Sequence, residues 1–230
     1  MEISISQLLV GAREARGLTV IIDVFRAFST ACYVSANGAS EIRAVGELEL
    51  AYRLRHQNPE FLLMGEREGI KCEGFDFGNS PAEIENIDLT GKSVVHTTSA
   101  GTQGIANALG ADEVITGSFT NADAILRYIS RKHPERVSLV CMGQGALIPA
   151  EEDTVCAEYL RDRLQGITTD FTLIQKHLRG VIGAQKFFDP EKAWAPERDF
   201  DLCLSLSRFD FVLKAEPVGD GSHRLIHVPV

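Results

Sequence analysis

Short apolar runs alternate with amphipathic stretches along most of the chain. The first clear run, LTVIIDVF (18–25), is rich in β-branched residues and reads as a buried strand. RAFSTACYVSANG then reads as a helix that stops at Gly38. EIRAV is a second strand, GELELAYRLRHQ a helix ended by Asn58-Pro59, and FLLMGE (61–66) a third strand. A glycine-rich connection (67–79) follows. Ser80 then takes the N-cap position, Pro81 the first helical position, and Glu83 completes a Ser-x-x-Glu capping box. KSVVHTT (92–98), DEVITG and RVSLVCMG (136–143) predict further strands, separated by the helices GTQGIANALG and NADAILRYISRK. Polar QGALIPAEED opens the helix TVCAEYLRDRL, on which Val155, Tyr159, Leu160 and Leu164 share a face. Residues 167–206 read as mostly helical, and FDFVLKA and HRLIHVPV as late edge strands.

Six or so strands alternating with helices predict an α/β fold, a three-layer α/β/α arrangement with a largely parallel sheet. One α/β domain over residues 1–230 accounts for the pattern, and a C-terminal subdomain starting at about 167 is the alternative division. In such sheets ligands bind outside the carboxyl ends of the strands. That rule selects Asp23 with Arg26, Glu66 with Arg67, the run Thr97, Thr98 and Ser99, Ser118 with Asn121 behind it, and the acids Glu151, Glu152 and Asp153.

Composition narrows the function. At 44% hydrophobic and 24% charged the chain is an ordinary globular protein. No apolar run approaches the ~20 residues of a membrane span, and the start MEISISQLLVGAREARG lacks the order of a signal peptide. A cytoplasmic protein with no membrane partner is expected. The formal net charge is −9 and the basic residues are scattered, which argues against a nucleic-acid partner. Five cysteines without a C-x-x-C pair give neither a disulfide framework nor a zinc knuckle.

The selected strand ends combine carboxylates, guanidinium groups, hydroxyls and glycine-freed amides. Carboxylates gathered alone raise one another's pKa. A hard cation resolves that, and Mg²⁺ takes one or two carboxylates plus substrate phosphate. Arginines match the forked geometry of phosphate or sulfonate oxygens. TTSAGTQG offers hydroxyls and N–H groups at a helix start. An acidic chain can therefore hold an anionic ligand through a metal and local arginines. Each element also has a plain structural reading. Asp23 can cap the following helix, Glu66-Arg67 can be a surface pair, TTSAG a turn, the acids at 151–153 a response to the helix dipole, and His96 a packed core residue. Standard motifs are missing. TGKS (90–93) lacks the leading glycine of a P-loop, and no G-x-G-x-x-G or G-x-S-x-G is present.

Five ordered blocks carry a resemblance. DVFRAFSTACYVSANGA, GEREGIKCEGFDFGNSPAEI, GKSVVHTTSAGTQGIANA, GSFTNADAI and EEDTVCAEYL, with a late ERDFDLCLSLSRFDFV, together resemble the 2-phosphosulfolactate phosphatase (ComB-type) family over nearly the whole chain. The resemblance implies that family's α/β fold. It also implies a Mg²⁺-dependent acid phosphatase of coenzyme M biosynthesis, which hydrolyses 2-phospho-3-sulfolactate to sulfolactate and phosphate. On this reading Asp23, Arg26, Glu66, Arg67 and Asp153 are catalytic, and Asp23, Glu66 and Asp153 hold the metal. Asn79, Ser80, Thr97, Thr98, Ser99, Gly101, Thr102 and Ser118 bind the small anionic phosphorylated substrate. GFDFGNSP becomes an active-site loop, its aromatics anchored on the core and Asn79 turned into the site. Two positions depart from the family's Thr-Thr-x-Asn-Gly-Thr-Arg pattern, with Ala100 for the Asn and Gln103 for the Arg. Another phosphorylated hydroxy acid is therefore an open substrate, and a non-catalytic binder of phosphorylated metabolites is the alternative function. A homo-oligomer is left open.

Overall fold

The apolar runs become strands of one ten-stranded sheet. The computed structural model describes residues 1–230. Its strands are β1 (Glu2–Gln7), β2 (Leu18–Ile22), β3 (Glu41–Ala44), β4 (Leu62–Arg67), β5 (Ile70–Lys71), β6 (Ser93–Thr97), β7 (Glu113–Gly117), β8 (Arg136–Cys141), β9 (Phe211–Pro217) and β10 (His223–Pro229). The helices are α1 (Leu8–Glu14), α2 (Ala27–Ala36), α3 (Leu48–Gln57), α4 (Pro81–Ile84), α5 (Gly101–Asn107), α6 (Ala122–Lys132), α7 (Glu151–Leu164), α8 (Phe171–Gly180) and α9 (Glu197–Cys203), with 3₁₀ turns at Phe119–Asn121 and Ile182–Phe187. No helix is long and apolar enough to cross a membrane.

The strand order is β1-β8-β2-β7-β9-β10-β3-β6-β4-β5. It contains two parallel blocks, β1-β8-β2-β7 and β3-β6-β4, joined by antiparallel pairs through β9 and β10. The late strands were expected at an edge. They lie instead at the centre of the sheet, where β9 pairs with β7 and β10 with β3. Their central place is set by these pairings between distant segments, and it buries Val212, Leu213 and Leu225.

Because β9 and β10 form an antiparallel insert, the two parallel blocks nominally run in opposite directions. Sheet twist alters the outcome. Five pairings separate β2 from β6. At roughly 20–25° of twist per pair, the accumulated rotation exceeds ~100°. The carboxyl ends of β2 and of β6 with β4 therefore turn toward one corner of the molecule.

Both faces of the sheet are covered. Along β2, Val20 and Ile22 enter one core cluster while Ile21 enters the other, the alternation of a strand with buried sides. The first cluster also holds Leu178, Ala184, Phe187, Phe200 and Cys203, so the helices after residue 167 share the core of β2 and β8. The second surrounds α2, whose residues from Ala27 to Val34 are all buried. That helix carries no charged residue and is apolar or small on every side, so it is stable only when enclosed. A third, smaller cluster packs α3 against β4 and β6 through Leu50, Leu54, Leu63 and Val95.

Candidate active site

Asp23 follows β2 directly and stands at the head of α2. Its Oδ1 accepts the Ala27 N–H at 3.0 Å, which is the helix-capping role read from the sequence. Its Oδ2 takes no hydrogen bond from the chain, and the residue is 7% exposed. A side chain at position 101 would meet this oxygen, since a Cβ there would lie 2.9 Å from Asp23 Oδ2 and 2.9 Å from Ala27 Cβ. Gly101 thus lets α5 approach the acid. Burial, reinforced by Glu66 and Glu152, pushes the Asp23 carboxyl up to about 6.

Glu66 arrives from the end of β4. Ser99 donates to it twice, from N–H at 2.7 Å and from Oγ at 3.1 Å, and Gly69 N–H donates at 2.6 Å. These bonds tie the ends of β4 and β6 together beside Asp23. Asp153, in the first turn of α7, accepts the Val24 N–H at 2.8 Å and the Gly143 N–H at 2.8 Å. It pins the segment after β2 to the segment after β8. Burial, Asp23 and Glu152 raise its pKa, and the two backbone donors oppose that rise. Asp23, Glu66 and Asp153 are thus brought to one corner.

No group of three or more His, Cys, Asp or Glu side chains is arranged as a ready-made metal cage. Asp153 is 2% exposed and both its oxygens accept backbone N–H groups, so the open carboxylate lone pairs at this corner belong chiefly to Asp23 and Glu66.

The arginines divide. Arg26 is 3% exposed. It donates to Asp199 Oδ2 and to the Trp194 carbonyl, each at 2.7 Å, and to the Gly69 carbonyl at 3.3 Å. Arg67 is adjacent to Glu66 on β4 and so faces the other side of the strand. There it donates to Thr97 Oγ1 at 2.8 Å and to the Gly46 and Glu66 carbonyls. Arg67 thus ties the ends of β4 and β6 to the segment at Gly46.

Thr98 and Thr102 are buried and bond each other, Thr98 N–H to Thr102 Oγ1 at 2.9 Å and Thr102 N–H to Thr98 Oγ1 at 3.2 Å. They lock the start of α5 in place. Ser118 is fully buried after β7, bonded to Thr120 Oγ1 at 2.7 Å and capping the following turn with Asn121. Its hydroxyl and its N–H are directed at that turn. His96 is fully buried with neither ring nitrogen hydrogen-bonded. Burial alone pushes its pKa down to about 3, so it stays neutral in the core.

The loop GFDFGNSP runs beside β4. Gly74 adopts φ +70°, in the left-handed region that favours glycine. Phe75 enters the third core cluster and Phe77 packs on the second. Ser80 caps α4 by accepting the Glu83 N–H at 3.3 Å and donates to Asp199 Oδ1 at 2.7 Å. Asn79 is buried, its Oδ1 has no partner, and it lines a cleft of about 450 Å³ with Lys71, Trp194 and Gly69. Gly69 is the shared wall, because its N–H bonds Glu66.

Two residues of this neighbourhood were missed in the sequence. Asp199 is fully buried in α9 and connects Arg26, Ser80 and the Ala82 N–H. Lys186 projects from the 3₁₀ turn Ile182–Phe187 and donates to the Phe25 carbonyl at 3.2 Å. The only sequence hint for Asp199 was an acid in a first helical turn after Pro196, and for Lys186 there was none.

A model of the 2-phosphosulpholactate phosphatase family matches residues 4–217. The chain is similar to proteins named probable 2-phosphosulfolactate phosphatase in several bacteria. The protein of Caldicellulosiruptor saccharolyticus is 37% identical over 210 residues, covering 84% of this chain and 85% of its own. That of Symbiobacterium thermophilum is 35% identical over 175 residues, covering 73% and 74%. That of Bacillus subtilis is 28% identical over 205 residues, covering 88% and 89%.

Proposed function

Because the chain belongs to the 2-phosphosulpholactate phosphatase family, we propose that it hydrolyses the phosphate ester of 2-phospho-3-sulfolactate, or of a close phosphorylated hydroxy acid, with Mg²⁺ as cofactor. The observation that carries this reading is Asp23. Its Oδ2 is unbonded, lies beside the glycine at the start of α5, and belongs to a carboxyl shifted to about 6.

The residues present fit a divalent cation. Asp23 and Glu66 converge, Asp23 Oδ2 has both lone pairs free, and Glu66 Oε1 retains one. The excess negative charge that raises the Asp23 pKa is what a cation would offset. Two carboxylates completed by substrate phosphate suit Mg²⁺. When bound, the ion supplies neutralisation of phosphoryl oxygens and acidifies a coordinated water.

The chain's own contribution is positional. With Glu66 Oε1 and one lone pair of Asp23 Oδ2 available to a cation, the second lone pair of Oδ2 accepts a hydrogen bond from the attacking water and orients it. As the new P–O bond forms and the ester P–O bond breaks, the water gives up a proton and the departing alkoxide takes one up, which leaves the hydroxy acid and phosphate. Glu66 and Ser99 hold the end of β6 against β4, and Asp153 fixes the segment after β2 that carries Asp23. Arg26, braced by Asp199, sets the wall next to Gly69. In this reading Asp153 and Arg26 position the site and do not touch the ester.

The test is phosphate release from 2-phospho-3-sulfolactate and a panel of phospho-hydroxy acids, with Mg²⁺ and with EDTA. Turnover that needs the metal supports the reading. Tight binding of these compounds without turnover would favour a metabolite-binding protein.

A further inference from the structure

The phosphoryl group is dianionic, and both arginines selected from the sequence already spend three of their five N–H donors within the chain. Arg26 is held by Asp199 and two backbone carbonyls. Arg67 is held by Thr97 Oγ1 and the Gly46 and Glu66 carbonyls. Lys186 differs. Of its three ammonium donors, one is used, on the Phe25 carbonyl at 3.2 Å. Its ammonium lies over two aromatic rings, with Phe187 centred 5.1 Å and Phe25 centred 5.9 Å from Nζ. Those two rings meet edge-on at 5.0 Å, which docks the turn Ile182–Phe187 onto the segment between Asp23 and α2. The charged groups acting on Lys186 are Arg26, Glu152 and Asp23. Glu152 is 5% exposed and its Oε2 has no hydrogen-bond partner. The turn packs directly on that carboxylate, since a Cβ on Gly183 would lie 2.9 Å from Oε2.

We propose that Lys186 is the cation that contacts the phosphoryl oxygens, delivered to Asp23 by the C-terminal 3₁₀ turn. The inference rests on the phosphatase reading for the identity of the ester, but the anion it names, a phosphate group, is testable without turnover. A fixed ammonium beside Asp23 also offsets the repulsion between that carboxylate and an incoming dianion. The competing role is that of a buried counter-ion for Asp23 and Glu152 with no ligand contact.

The experiment has two arms. In the first, K186M and K186R are compared with wild type for KM, kcat and inhibition by inorganic phosphate. K186M is expected to raise KM and the phosphate inhibition constant about 10- to 100-fold, the value of a charged hydrogen bond, and K186R to recover most of the loss. A K186M protein with a lowered Tm but unchanged KM and phosphate inhibition would show a counter-ion and overturn the proposal. In the second arm the wild-type protein is treated with acetic anhydride, and acetylation of Lys186 is followed by mass spectrometry against exposed Lys176. Inorganic phosphate is expected to protect Lys186 selectively, and equal labelling with and without phosphate would overturn the proposal whether or not K186M folds. If no phospho-hydroxy acid is turned over, the phosphatase reading fails while the protection arm still decides the role of Lys186.

Discussion

Asp23 concentrates the conflict between stability and function. Its carboxyl is buried beside Glu66 and Glu152, and its pKa in the folded protein is about 6 against an ordinary 3.8. The sign follows from proton counts. Between those two values the folded state binds more protons than the unfolded state, so stability falls as pH rises through the window and the cost persists above it. Asn at this position keeps the acceptor for Ala27 N–H and removes the charge. D23N is therefore expected to be more stable than wild type near pH 7 in EDTA, by roughly 1–3 kcal/mol, with the gain vanishing by about pH 4. The same variant is expected to lose at least about 100-fold in kcat/KM. Denaturant titrations at the two pH values and steady-state phosphate release check both statements. A D23N protein that is less stable at neutral pH, or that keeps full activity, would contradict this account of the residue.

At the scale of elements, the short helix α4 and the helix α9 are joined to α2 by one fully buried carboxylate. Asp199 accepts from Arg26, from Ser80 Oγ and from the Ala82 N–H. Removing one partner of a buried pair leaves the other charge uncompensated, so D199A is expected to cost roughly 3–5 kcal/mol. S80A is expected to cost less, roughly 2 kcal/mol, for the lost cap and one hydrogen bond to the buried carboxylate. Chemical denaturation would show the difference, and similar losses for the two would mean that Asp199 is not the junction described here. This junction also shows what the sequence could carry. The helix cap at Ser80, the strands through Ile21, Val95 and Leu139, and the strand-end acids Asp23, Glu66 and Asp153 are readable because each signal is local: an apolar period, a cap, a residue at the end of a strand. The reciprocal half of the expected capping box does not form, since the Glu83 carboxylate accepts the Gly78 N–H instead of the Ser80 N–H. The Arg26–Asp199 pair links positions 173 apart in the chain, and the Lys186–Phe25 bond links positions 161 apart. Nothing local announces either one. Arg67 and Ser118 stand at strand ends as read, but their bonds to Thr97 and to the turn at Thr120 are equally unannounced in the chain. β1 was not anticipated, because EISISQ is a short and largely polar strand at the sheet's edge.

For the molecule as a whole, the hairpin of β9 and β10 is the seam between two parallel blocks. Its place at the centre could not be read from its apolar content, since strand order depends on pairing between distant segments. The consequence for the site is direct. Asp23 and Asp153 belong to one block and Glu66 with Ser99 to the other, so the corner exists only while the seam holds. A chain truncated after Ser207 is expected to lose cooperative unfolding and all activity, unlike the loss of a peripheral strand. Thermal melts and gel filtration would test this, and a folded, active truncated protein would refute the seam. The account's central claim is that acids from both blocks, with a divalent cation, hydrolyse a phosphate ester. Phosphate release from 2-phospho-3-sulfolactate measures it most directly. The account predicts turnover in Mg²⁺, a fall of at least about 100-fold in EDTA, and recovery when Mg²⁺ is restored. Turnover indifferent to EDTA, or no release from any phospho-hydroxy acid at saturating Mg²⁺, would contradict it.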